Sequence, residues 1–114
     1  MGGCEMMKPM KRNRHFEVAL NHAFDDWNYC NERYVCWYQD KGGIKHTYYY
    51  NFEQDYSQWN VVIWLAKRIL KYDDLKTIMP IMADNISYLR TPQHMLHALY
   101  NYIQKQESEN TNMT

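Results

Sequence analysis

Apolar residues along this chain fall into four stretches of helical spacing and one stretch of strand-like alternation. Phe16, Leu20, Ala23, Phe24 and Trp27 recur every three or four residues behind a capping Asn13, which predicts a first helix over about 14–31. The period then changes. Arg33 to Phe52, RYVCWYQDKGGIKHTYYYNF, reads as a β-hairpin, with Asp40-Lys41-Gly42-Gly43 supplying the turn. Asp55 and Gln58 form a capping pair for a second helix running to Lys71, and its centre, VVIWLA, predicts a central buried helix. Tyr72-Asp73-Asp74 makes a turn, after which Leu75, Ile78, Met79, Met82, Ile86 and Leu89 keep helical spacing around Pro80. That proline should kink or split the segment, because it lacks the N–H that a helix interior uses. The last helix opens with Thr91 as N-cap and Pro92 in the first turn, and runs through Met95, Leu96, Leu99, Tyr102 and Ile103 to about Gln106.

The expected fold is therefore a small α+β domain in the order α-β-β-α-α-α, a two-stranded antiparallel hairpin packed on a helical bundle. Residues 1–12 read as a flexible arm, 13–106 as the domain and 107–114 as a disordered polar tail. A lone hairpin is marginal in water, so it must pack on helices or accept a strand from another chain.

The hairpin carries more aromatic residues than one face can hold, since successive side chains alternate between faces. With the turn centred on Lys41-Gly42, Gln39 faces Ile44. Val35, Trp37, His46, Tyr48, Tyr50 and Phe52 then share the core face. Tyr34, Cys36, Tyr38, Lys45, Thr47 and Tyr49 take the other, which suits a wet contact surface. Tyr34, Tyr38, Lys45, Thr47 and Tyr49 are the protein-binding candidates. In the same register Cys36 and His46 point apart, so they form no nucleophilic dyad.

Composition narrows the function classes. With 114 residues, there is room for one core. Lys plus Arg and Asp plus Glu are 13 each, which argues against a general phosphate-backbone binder and against an acidic DNA mimic. A near-neutral pI is compatible with a homodimer. Three cysteines, Cys4, Cys30 and Cys36, without an apolar leader point to free thiols and a cytoplasmic location. The longest apolar run, Val61–Ala66, is too short to span a membrane. Met1-Gly2-Gly3-Cys4 resembles an acylation site but has Met6 where Ser or Thr belongs.

Chemistry-bearing motifs are missing by their spacing. No Gly-rich phosphate loop, G-x-S-x-G or H-E-x-x-H occurs. His94 and His97 lack a third ligand, Cys30 and Cys36 have the wrong spacing for a zinc knuckle, and His22 pairs more naturally with Asp26 across a helix turn. No metal, cofactor or catalytic residue is expected, and the chain reads as a non-enzyme. The expected function is a stoichiometric protein inhibitor or adaptor, a class to which many compact phage and mobile-element proteins belong. The alternative is a nucleic-acid binder using Lys11, Arg12 and Arg14 of the arm with Arg90, His94, His97 and Asn101 of the last helix. A small enzyme whose site is assembled from distant residues is a further alternative.

Overall fold

A computed structural model describes residues 12–51 and 57–112, with side chains through Glu109. The element order is α1 (Arg14–Ala23), β1 (Asp26–Cys30), β2 (Arg33–Gln39), β3 (Lys45–Asn51), α2 (Trp59–Leu70), α3 (Leu75–Ala83) and α4 (Pro92–Asn112). The described residues thus form four helices and a three-stranded antiparallel sheet in the order β1-β2-β3.

The first helix is half the length that its apolar stripe predicts. Asn13 caps it, its side chain accepting from the Phe16 N–H at 2.9 Å. Phe24 already has extended backbone (φ −126°, ψ 159°), and Asp26–Cys30 becomes a strand. Phe24 and Trp27 satisfy a helical period, but Trp27 and Tyr29 equally satisfy a strand's alternation. The sheet wins because β1 pairs with the otherwise open edge of β2. The β1–β2 turn is Asn31-Glu32, with φ of 57° and 63°. Two consecutive positive φ values are what a tight two-residue hairpin demands, supplied here without glycine.

The β2–β3 connection corrects the expected register. Asp40 and Gly43 close a turn (Gly43 N–H to Asp40 O, 3.0 Å), and Gly43 then adopts φ 88° before Asp40 N–H bonds to Ile44 O at 2.9 Å. This is a three-residue loop with a left-handed glycine in its last position, one residue longer than a two-residue turn. The added residue brings Gln39 opposite Lys45, Tyr38 opposite His46 and Tyr34 opposite Tyr50. β2 is thereby inverted relative to expectation: Tyr34, Cys36 and Tyr38 join His46, Tyr48 and Tyr50 on the helix side, with Trp27 and Tyr29 of β1. Val35 and Trp37 turn outward.

That inner face packs on α1 and α2 through rings. Phe16 meets Tyr34 and Tyr50 at centroid distances of 5.2 and 5.6 Å, and Trp64 meets Tyr48 at 4.9 Å and Phe24 at 5.5 Å. Behind this layer, Val62, Leu65 and Leu70 of α2, Ile78 and Met82 of α3, and Met95, Leu96, Leu99 and Ile103 of α4 complete the core. α1 packs more extensively on α4 than on any other element.

Further boundaries differ from expectation. α2 begins at Trp59 with Gln58 at the cap position and no side-chain cap bond, and Asp55 lies outside the described residues. Only one side of it is buried, and Trp59 is 39 % exposed. Pro80 sits near the end of α3, which stops at Ala83, so Ile86 and Leu89 belong to the connection. α4 continues past Gln106 to Asn112 through a wholly polar stretch, ESENTN, which has no apolar spacing to announce a helix. There Glu107 pairs with His22 at 3.0 Å, in place of the expected His22–Asp26 pair, because Asp26 has moved into β1. Cys30 is disulfide-bonded and Cys36 is the free cysteine among the described residues, so the expectation of free thiols throughout is corrected. No helix among the described residues is long and apolar enough to cross a membrane.

Candidate functional site: the open face of the sheet

Among the described residues, helices cover one face of the sheet and leave the other uncovered. By register, the open face presents Asp26, Asn28 and Cys30 from β1, Arg33, Val35, Trp37 and Gln39 from β2, and Lys45, Thr47, Tyr49 and Asn51 from β3. Val35, Trp37 and Tyr49 form an apolar ridge across the two C-terminal strands, with Val35 directly opposite Tyr49 and Trp37 opposite Thr47. Tyr49 is 57 % exposed, and Ile44, at the adjoining loop, is 62 % exposed.

Each large ring of the ridge carries a cation. The Arg33 guanidinium lies 4.8 Å from the Tyr49 ring centroid and the Lys45 ammonium 4.6 Å from that of Trp37. Such contacts hold long, flexible side chains over a ring, so they reduce the ordering that a partner would otherwise have to impose. The loop beside the ridge is fixed by Asp40. One carboxylate oxygen accepts from the Gly42 and Ile44 N–H groups, both at 2.9 Å, and the other contacts His46 Nε2 at 2.9 Å. The His46 and backbone hydrogen bonds hold the Asp40 carboxyl below its ordinary pKa.

No protein-family model, curated protein or solved structure matches this chain.

The protein-binding candidates divide between the two faces. Lys45, Thr47 and Tyr49 lie on the open face, whereas Tyr34 is fully buried and Tyr38 is half-buried on the helix side. The one-residue register change accounts for both. Tyr34 donates to Glu17 Oε2 at 2.7 Å and accepts from the Asn13 N–H at 3.1 Å, tying β2 to the start of α1. Burial, reinforced by the Glu17 carboxylate, raises its pKa. Arg33, Val35 and Trp37 take the outward places, residues that the two-residue turn register had assigned elsewhere or left out. The third position of the loop was their only sequence signal.

Register also places Cys36 and His46 on the same face, two positions apart along β3. Burial pushes the Cys36 thiol up to about 12, the opposite of what a thiolate nucleophile requires, and His46 is engaged with Asp40 and stacked on Tyr38 at 4.8 Å. Among the described residues, no group of three His, Cys, Asp or Glu side chains converges as a metal site would require.

The nucleic-acid candidates are dispersed. Lys11 lies outside the described residues. Arg12 pairs with Glu17 and packs over Trp27 and Tyr29, and Arg14 lies over Tyr100. Arg90 lies over Tyr88. His94 Nδ1 accepts from the Arg90 and Thr91 N–H groups while Thr91 Oγ1 accepts from the His94 N–H, a reciprocal cap at the start of α4. His97 stacks on His15 of α1 at 4.4 Å, and Asn101 donates to Asn85 O at 2.8 Å. These side chains of α4 therefore serve three separate contacts within the fold.

Proposed function

We propose that this chain is a protein-binding module that acts by occupancy, as a stoichiometric inhibitor or adaptor, through the open face of its sheet. The observation that carries the reading is the Val35/Trp37/Tyr49 ridge with Arg33 and Lys45 already laid over its two large rings. Trp, Tyr and Arg are the residues that dominate binding energy at protein interfaces, and rigid aromatic anchors lose little entropy on contact. The cations flanking the ridge favour a partner with an apolar centre and a carboxylate rim. Base stacking is a poorer fit, since each ring already has a cation above it.

The test compares the wild-type chain with Trp37→Ser/Tyr49→Ser as bait in lysate of the source organism, with and without nuclease and eluted by salt. One protein should be retained by the wild type after nuclease treatment and lost by the double variant. Both baits should melt alike, because the substituted side chains lie on the helix-free face. Equal retention by the two baits rejects the proposed face. Recovery of nucleic acid alone, released at moderate salt, replaces the reading with nucleic-acid binding.

A further inference from the structure

A second concave site lies on the helix side of the sheet. At the C-terminal turn of α2, a cavity of about 530 Å³ is lined by Tyr38, Trp64, Lys67, Arg68, Lys71 and Asp73. Lys67 and Lys71 are one helical turn apart with Arg68 between them, so three cations and one carboxylate line one depression. Cations near a helix C-terminus offset the helix dipole, which explains their presence in this turn. It does not explain their geometry.

Arg68 is clamped. Its guanidinium lies 3.6 Å from the Tyr38 ring centroid and 5.7 Å from that of Trp64, and its Nε donates to the Ala23 carbonyl. The two Nη groups make no hydrogen bond among the described residues, and the Lys67 and Lys71 ammonium groups have no ion-pair or hydrogen-bond partner there. Asp73, the carboxylate of the site, pairs with none of the three. A fixed guanidinium fork beside two unpaired ammonium groups is the donor set that recognises a multiply charged oxyanion. A single carboxylate would neutralise only one of these charges. The aromatic walls already have ring partners: His46 stacks on Tyr38 at 4.8 Å and Phe24 on Trp64 at 5.5 Å. They supply shape, and the anion is the group recognised.

We propose that this cavity binds a phosphate group, as inorganic phosphate or as the phosphate of a small ester. The site is separate from the open face, and its occupancy is independent of the protein-binding reading.

Calorimetric titration of the full chain with inorganic phosphate, pyrophosphate and AMP, at constant ionic strength, tests it. Saturable binding of at least one probe is expected. Tighter binding of AMP than of phosphate assigns an ester, and the reverse assigns the inorganic anion. Lys67→Gln and Lys71→Gly should each weaken binding by about tenfold or more, as loss of a charged hydrogen bond does. Asp73→Asn should strengthen it. Lys71 has φ 65°, so glycine there relieves a left-handed side chain and leaves the fold at least as stable. Absence of saturation by all three probes at millimolar concentration overturns the proposal. So does unchanged affinity in the Lys67→Gln/Lys71→Gly double variant.

Discussion

Tyr34 and Tyr49 stand on neighbouring strands and have opposite surroundings. Tyr49 is 57 % exposed, with Arg33 over its ring. Tyr34 is fully buried, packed by Phe16 and Tyr29, with its hydroxyl shared between Glu17 and the Asn13 N–H. Removing only that hydroxyl leaves Glu17 without a buried donor and the Asn13 N–H without its acceptor. Tyr34→Phe should therefore cost about 2 kcal/mol, measured by urea unfolding, the range for a buried hydrogen bond to a charged group. Tyr49→Phe should be nearly silent in the same assay. Sequence identifies both residues as tyrosines in a strand but not the address of either hydroxyl, because Glu17 and Asn13 reach Tyr34 only through the packing of α1 on the sheet.

At the scale of elements, one glycine determines which side chains meet the helices. The strands β2 and β3 and the residues of their loop are legible from alternation and from Asp-Lys-Gly-Gly. Their register is not, because it depends on whether the loop closes over two residues or three. Gly43 settles it with φ 88°, and a Cβ there would meet only Gln39 Nε2, at 3.9 Å. Space is available, so the penalty of Gly43→Ala is conformational: about 1 kcal/mol of stability, read from chemical denaturation. The strand β1 escapes a sequence reading for a related reason. Its turn, Asn31-Glu32, takes two left-handed residues without the glycine that normally announces them. The start of α4 is the opposite case: Thr91-Pro92 is a strong local signal, and the helix begins where it says.

For the molecule as a whole, two weak acids sit in the core and couple the fold to alkaline pH. Burial pushes the Cys36 thiol from its usual 9 up to about 12, and burial likewise raises Tyr34. A raised pKa means that the native state holds its proton where the unfolded chain releases it. The stabilisation is complete below about pH 9 and is lost as pH rises toward 12. Urea midpoints should thus fall between those two values, and less steeply in Cys36→Ala than in the wild type. The α+β class and the four helices among the described residues are legible in the sequence. What joins them is not, since the main helix–helix contact, α1 with α4, links the two ends of the described chain. That closure has a consequence in time. During synthesis the sheet strands emerge in pairing order and need no later segment to find their partners. The side of α1 that meets α4, where His15 stacks on His97 and contacts Tyr100, waits for residues 92–112 to leave the ribosome. The described domain thus closes only once α4 has been made, and until then α1 lacks its main helix partner.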